Sequence, residues 1–357
     1  MSGSDMAAGG QGWVKSLTGD AEIAALFGDA TQFASFARFE AALILGLAKA
    51  GRIDKADAAT LIGQIATFVP DHERIAQSAV SDGVPIPEYM RQLRRHVSGP
   101  GADMLHFGTT SQDLVDTATI EALAQVIAVL SDRLNQLIAA IDRLEARDGT
   151  NALKAITRMQ EALTIRASAR IDTWNRPLEA LRDRLPALRE QVLVLQFGGA
   201  VGDLQVLGKD ADTVAKAIAS ELRLRWPGHS WQTSRTPLIA AASWLTELSN
   251  ALGKIGQDAA IMALRGADDI EVSGGGTSSA MPHKQNPVAA ERLVALARFN
   301  ASQMGAMHQA QLHEMERSGA AMTLEWMVLP QICEAAGAGL TAAIALIQSI
   351  NRIGTPS

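Results

Sequence analysis

The chain has 357 residues, which exceeds one ordinary domain and is long enough to bury a sizeable hydrophobic core. Apolar residues make up 47% of it and aromatic residues only 4%, with a single tyrosine, so the composition favours a large helical protein over a β-rich one. A net charge of −6 without a concentrated basic stripe argues against nucleic-acid binding through phosphate neutralisation.

The single cysteine, Cys333, excludes an internal disulfide framework and is typical of a reducing compartment. The N-terminal sequence MSGSDMAAGGQGW lacks the cationic start and apolar stretch of a secretion signal. The most apolar late segment, residues 335–347, is interrupted by glycine and too short to span a bilayer. We therefore expect a soluble, cytoplasmic protein without a membrane partner.

The first helices in chain order are short. One is bracketed by Gly28 and Gly51, and a second is predicted from the N-cap residue Asp54 to about Val69. Residues 83–87, with two prolines, are expected to form a turn or extended connector before a short basic helix. These elements predict an N-terminal helical domain over residues 1–105.

The next element is predicted to be one long helix. From Thr109 to Asp148 the chain contains neither glycine nor proline. Apolar residues recur there at alternating steps of four and three, as in a heptad seam, at Leu123, Ile127, Leu130, Leu134, Leu137, Ile141 and Leu144. Such a stripe is typical of packing rather than of a binding site.

Further long helices are predicted to the end of the chain, over residues 152–195, 209–225, 237–265, 288–318 and 320–352, with kinks in the first of them at Pro177 and Pro186. Together they predict an all-α long-helix bundle over residues 106–357. Helices of this length with apolar residues on more than one face favour a helical oligomer with the bundle at its core.

Common cofactor and metal patterns do not match the sequence. None of the seven histidines makes the i,i+4 pair of a helical zinc site, so a metal enzyme is not expected. The glycines of residues 198–202 do not follow a predicted strand, which argues against a dinucleotide fingerprint and favours a tight bend. No phosphate loop and no serine–histidine–aspartate order can be assigned. We therefore predict no metal and no cofactor.

The stretch GGTSSAMPHKQNP, residues 275–287, combines residues suited to proton transfer. Ser278, Ser279 and Lys284 supply hydroxyls and a cation, and a serine oxyanion becomes usable when a cation and N–H donors stabilise it. Asn286 can cap a helix that begins at Pro287. Such a group suits proton transfer at a carbon beside a carboxylate, but the same residues would also suit an ordinary surface loop.

A resemblance to a known family favours the first interpretation. SSAMPHKQNPVAAE resembles the signature of the fumarase/aspartase superfamily, with Thr277 where that family has glycine. Three further blocks are similar to segments of the same superfamily, in the same order: HFGTTSQDLVDTA (106–118), TRMQEAL (157–163) and GGAVGD (198–203). The resemblance implies an all-α long-helix bundle of four chains. Because the chain stops soon after the last long helix, we expect the usual C-terminal helical domain to be missing.

The main departure from the superfamily is Arg158, which stands where fumarases and adenylosuccinate lyases carry histidine. Arginine removes a group that titrates near neutrality and adds a permanent carboxylate binder. In lacking that histidine, the chain resembles the branch of the superfamily that closes 3-carboxy-cis,cis-muconate to its lactone in protocatechuate breakdown. The expected substrate is a small tricarboxylate or a substituted muconate.

By resemblance, Ser278 is expected to transfer the proton, with Ser279 as the alternative, and Lys284 and Asn286 to stabilise the enolate-like intermediate. Glu291 would support the site. Substrate carboxylates would be bound by His106, Thr110, Ser111, Arg158, Gln160 and, less directly, Arg235. Two alternatives remain open: an eliminating lyase such as adenylosuccinate lyase, and a non-catalytic helical scaffold on the same fold. The 3-substituent could be a carboxylate or another anion such as sulfonate.

Overall fold

The computed structural model describes residues 12–277, 281 and 285–356. Most of these residues are helical. Two large clusters of buried apolar side chains underlie the fold, one mainly in the N-terminal helices and one in the long helices.

Six helices precede the long ones: α1 (Gly12–Thr18), α2 (Ala21–Ala25), α3 (Asp29–Lys49), α4 (Lys55–Ala66), α5 (His72–Asp82) and α6 (Ile86–His96). The predicted cap of α4 is confirmed, since the Asp54 side chain accepts from the Ala56 N–H at 2.8 Å. The connector predicted over residues 83–87 is too long, because α6 already begins at Ile86. Proline is tolerated in a first turn, where no N–H partner is needed, and Pro87 lies there.

Helix α7 (Ser111–Asp148) is the long helix that the sequence predicts. At 1.5 Å per residue, its 38 residues extend about 57 Å. All seven residues of the predicted seam are buried, with at most 4% of their surface exposed. The helix contacts α3 and α13, as well as the next helix along the chain.

The prediction of a helix over residues 152–195 is wrong for residues 152–166. Residues 152–166 form a β-hairpin of β1 (Ala152–Thr157) and β2 (Gln160–Arg166), paired in antiparallel register with Thr157 opposite Gln160. The turn residues Arg158 and Met159 have φ of 49° and 64°, as a two-residue hairpin turn requires. Tertiary pairing and flanking β-branched residues override the helical pattern here.

Helices α8 (Ala167–Asp183) and α9 (Leu185–Val192) follow the hairpin. Helix α8 continues through Pro177. Pro186, in contrast, lies in the first turn of a new helix, α9. Helix α10 (Ala211–Glu221) then leads to α11 (Thr236–Arg265).

The last part of the chain contains α12 (Val288–Ala310), α13 (Gly319–Ser349) and four short strands, β3 (Ile270–Val272), β4 (Gly276–Thr277), β5 (Gln285–Asn286) and β6 (Ile350–Ile353). β3 pairs with β6, and β4 pairs with β5, both antiparallel. The fold is therefore mainly helical rather than strictly all-α. Helix α12 ends at Ala310, eight residues before the predicted residue 318, and Ser318 instead caps α13 by accepting from the Ala321 N–H.

The long helices pack closely around α11, which contacts α8, α9, α12 and α13. Helices α7 and α13 are long and apolar enough to cross a membrane by length and composition alone. Most of the apolar window in each is buried inside the protein, as in the core helices of a bundle.

Candidate active site

The predicted site residues fall at two ends of the bundle. His106, Thr110 and Ser111 lie at the start of α7, and Arg235 lies at the start of α11. Arg158 and Gln160 follow the other end of α7 in the hairpin, which spans only about 20 Å along its strands. Because α7 is about 57 Å long, one chain cannot bring these two groups together.

Asp113 organises the start of α7. Its fully buried carboxylate accepts from the backbone N–H groups of Thr110, Gly198 and Gly199 at 2.9–3.0 Å and from the Gln196 side chain at 3.1 Å. Burial raises the pKa of this carboxyl to about 7, and the four donors act in the opposite direction. The donors thus hold in place a carboxylate that burial alone would tend to neutralise.

The glycine run of residues 198–202 forms the predicted bend and lies directly against α7. Gly199 has φ of 66°, and a side chain there would come within 2.8 Å of the Gly108 carbonyl oxygen. A side chain at Gly198 would collide with Ser230. Glycine is therefore required for the backbone to reach Asp113.

His106 precedes α7 in a left-handed backbone conformation, with φ of 63°. Its Nδ1 lies 2.7 Å from Glu40 Oε1, and its backbone N–H donates to Glu40 Oε2 at 2.9 Å. Glu40 is completely buried in α3, whereas 15% of the His106 side chain is exposed. The contacts with Glu40 thus fix the position of the histidine, and part of its side chain remains exposed.

Arg235 is buried and fully engaged by carboxylates. Its guanidinium donates to Asp116 at 2.6 and 2.8 Å and to Glu325 at 2.6 and 2.8 Å, and it lies over the Trp231 ring at 4.9 Å. These contacts join the second turns of α7 and α13 to the residue that precedes α11. They point to a structural role, and contact between Arg235 and a substrate stays a prediction.

The segment between α12 and α13 closes this end of the bundle. Arg317 donates to the Gln112 side chain at 3.0 Å and to the Ala200 carbonyl at 3.1 Å. Gln232 donates to the Glu316 carbonyl at 2.7 Å. Four segments that are distant in sequence therefore meet at the start of α7, and the sequence pattern identified neither Gln112 nor Arg317.

The other end of the bundle carries the hairpin and the signature loop. Arg265, the last residue of α11, pairs with Glu161 of β2, and Asp148 at the end of α7 accepts from the Ile353 N–H in β6. Arg158 and Gln160 are exposed at the hairpin turn. No contact between them and His106 is present in the described part of the chain.

The signature loop is described only at its two edges. Thr277 pairs with Gln285 and Gly276 with Asn286, whereas Ser278, Ser279 and Lys284 lie outside the described residues. Asn286 does not cap α12 as predicted. It lies in β5, and α12 begins two residues later, at Val288, without a side-chain cap.

A cavity of about 670 Å³ adjoins these edges, between the ends of α11 and α13 and the start of α12. It is lined in part by Gly274, Gly275 and Asn286. Glu291 lies in the exposed first turn of α12. Over residues 12–277, 281 and 285–356, no group of three histidine, cysteine, aspartate or glutamate side chains is placed to hold a metal ion.

Comparison with known proteins identifies the family to which the chain belongs. The sequence pattern of the lyase family matches residues 36–299. The 3-carboxy-cis,cis-muconate cycloisomerase of Pseudomonas aeruginosa is 31% identical over 336 residues, which cover 92% of this chain and 73% of that protein.

Two solved structures have the same fold. A fumarate lyase from Mesorhizobium sp. BNC1 superposes with a TM-score of 0.87 at 27% identity, covering 94% of this chain and 76% of that one. The 3-carboxy-cis,cis-muconate lactonizing enzyme from Pseudomonas putida gives a TM-score of 0.86 at 28% identity, covering 95% and 76%. Since the family pattern spans most of its length, the chain belongs to the lyase family, within the fumarase/aspartase superfamily.

Proposed function

We propose that the protein is a cycloisomerase that closes 3-carboxy-cis,cis-muconate, or a closely related 3-substituted muconate, to its muconolactone in protocatechuate-type aromatic degradation. The observation that carries this proposal is the 31% identity with the Pseudomonas aeruginosa cycloisomerase over 92% of the chain. Arg158 supports it, because it replaces a titratable histidine with a permanent carboxylate binder.

In the proposed reaction, one carboxylate oxygen of the substrate adds to a carbon of the conjugated diene while a proton is delivered to the carbon beside another carboxylate. The new C–O bond forms the lactone, and the double-bond electron pair takes up the proton. Ser278 is the proposed proton donor, with Ser279 as the alternative. Lys284 and Asn286 would stabilise negative charge that develops on the substrate carboxylate.

The separation of the two groups of site residues supports an assembly of several chains. We infer a tetramer with the long helices at its centre, in which three chains contribute to each site. His106, Thr110 and Ser111 of one chain would then meet Arg158 and Gln160 of a second and the signature loop of a third. Such a site needs only a small anionic substrate, with no cofactor, nucleic acid or membrane.

The test of the function is an ultraviolet assay for loss of the conjugated diene of 3-carboxy-cis,cis-muconate, with adenylosuccinate as the comparison substrate. Ser278→Ala should lower kcat by about 10²–10⁴-fold with a modest change in KM, because general acid–base catalysis is lost. Ser279→Ala is the matched control. If only the Ser279 variant loses kcat, the two serines exchange roles, and if both stay active the serine mechanism is wrong.

Arg158 is expected to act in binding rather than in proton transfer. Arg158→Met should chiefly raise KM, by about 10- to 100-fold, because a charge-assisted hydrogen bond to a carboxylate is worth roughly 1.5–3 kcal/mol. The measurement is steady-state kinetics with the same diene assay. A variant with unchanged KM and a much reduced kcat would contradict the binding role.

A further inference from the structure

Glu40 and His106 form a buried pair that joins α3 to the segment before α7. Both oxygens of Glu40 are directed at one residue, since Oε2 accepts the His106 backbone N–H at 2.9 Å and Oε1 lies 2.7 Å from Nδ1. In the described part of the chain these are the hydrogen bonds of the Glu40 carboxylate. The hydrogen bonds of this completely buried carboxylate are therefore all made to a single histidine within the described residues.

This arrangement carries a free-energy cost that ordinary packing would not require. A buried carboxylate is costly unless it is paired, and a histidine with φ of 63° occupies a sparsely populated backbone region. Glu40 lies in a helix whose other buried residues are mainly apolar and include Phe36, Phe39 and Leu43. Strained and buried polar groups of this kind concentrate at functional sites.

The contact also determines which ring nitrogen can meet a substrate. With Nδ1–H donated to Glu40, the nitrogen left for an external partner is Nε2. The ring is partly exposed, and His106 lies four residues before Thr110, the N-cap residue of α7.

We propose that Glu40 is a positioning residue for the reaction and acts through His106. It holds the imidazole ring so that Nε2 contacts a carboxylate of the bound muconate. This inference rests on the proposed function and adds to it a residue 66 positions before the histidine, which touches no substrate itself.

A double-mutant cycle tests the proposal, with Glu40→Gln, His106→Gln and the double variant compared with the unaltered enzyme in the diene assay. His106→Gln is expected to raise KM by about 10- to 100-fold, and Glu40→Gln nearly as much, with smaller effects on kcat. In the double variant the two effects should not multiply, because both remove the same interaction. Effects that multiply would overturn the proposal, since Glu40 would then act independently of His106.

Glu88→Gln is the matched control. Glu88 is a buried carboxylate on α6, but it pairs with Arg74 and Arg91 and does not contact His106. The Glu88→Gln substitution should lower the thermal unfolding midpoint without changing KM. If Glu88→Gln raised KM as much as Glu40→Gln does, a general loss of stability would explain both effects and the proposal would fall.

A measurement on the unaltered protein covers the case in which Glu40→Gln does not fold. Selective 15N labelling of the seven histidines, with His106→Gln for assignment, should show a slowly exchanging, downfield Nδ1 proton on His106. An Nδ1 without a proton would overturn the proposal. Because this signal needs no turnover, it separates failure of the Glu40–His106 pair from failure of the proposed function, which would appear as unaltered enzyme that leaves the diene intact.

Discussion

Asp113 shows how much of the candidate site depends on one side chain. Its two oxygens satisfy three backbone N–H groups and one amide, so the first turn of α7 and the glycine bend share one acceptor. Buried donors such as the Gly198 and Gly199 N–H groups cannot turn to water if they lose their acceptor. The position of Thr110 and Ser111 therefore depends on a residue that need not touch the substrate.

We expect Asp113→Asn to lower the free energy of unfolding by about 1–3 kcal/mol, because one amide end would face N–H groups that it cannot satisfy. Urea unfolding measures this change. Asp132→Asn, at an exposed position of the same helix, should change stability by less than about 0.5 kcal/mol. Equal effects at the two positions would contradict the role assigned to Asp113.

At the same scale, the sequence predicts candidate site residues but not the side chains that contact them. The motif HFGTTSQD marks His106 and Thr110, but Glu40 lies 66 residues earlier and belongs to no recognised motif. A carboxylate within an otherwise apolar stretch of α3, next to Phe39, was the available signal. Arg235 is predicted by resemblance, whereas its partners Asp116 and Glu325 lie 119 and 90 residues away, so only the fold could pair them.

At the scale of elements, long periodic helices were predictable and short strands were not. The seam of α7 extends over many turns, so local exceptions do not obscure its period. Residues 152–166 contain no glycine or proline at the turn, and the usual hairpin signal is therefore missing. Strand β1 also pairs outside the hairpin, through a bridge between Ala152 and Thr355 near the other end of the chain, and local sequence patterns do not reveal such a tertiary contact.

Close contact between α11 and α12 gives a prediction about helix packing. A side-chain carbon at Gly256 would lie 2.5 Å from the Ala290 carbonyl oxygen and 2.8 Å from Leu293 Cβ. Gly256→Ala should therefore lower the free energy of unfolding by about 1–3 kcal/mol through overpacking, as measured by urea unfolding.

The control is Gly63→Ala in α4, where no atom lies within 4 Å of the added carbon. This substitution should raise stability by about 0.5–1 kcal/mol, because alanine favours a helix more than glycine does. Opposite signs at two helical glycines would identify helix contact as the cause. If Gly256→Ala were neutral or stabilising, α11 and α12 would not be packed as closely as described.

At the scale of the whole molecule, the placement of the site residues argues for assembly. The start of α7 and the hairpin lie at opposite ends of a helix about 57 Å long. Several large apolar side chains are exposed on the long helices and the loops that join them, among them Phe299, Leu312 and Met327. Contiguous exposed apolar surface is typical of an interface, and we expect these side chains to contribute to one in the proposed tetramer.

The last prediction tests the inferred tetramer through Met327, which is 60% exposed on α13. If this face packs against another chain, Met327→Asp places an unpaired charge in the interface, at a cost of several kcal/mol. We expect light scattering to report a smaller mass than that of four chains, together with loss of diene turnover. Val80→Asp, on α5 with 88% of the side chain exposed, should leave both mass and activity unchanged. An unaltered protein that is active and monomeric at micromolar concentration would rule out a site shared between chains.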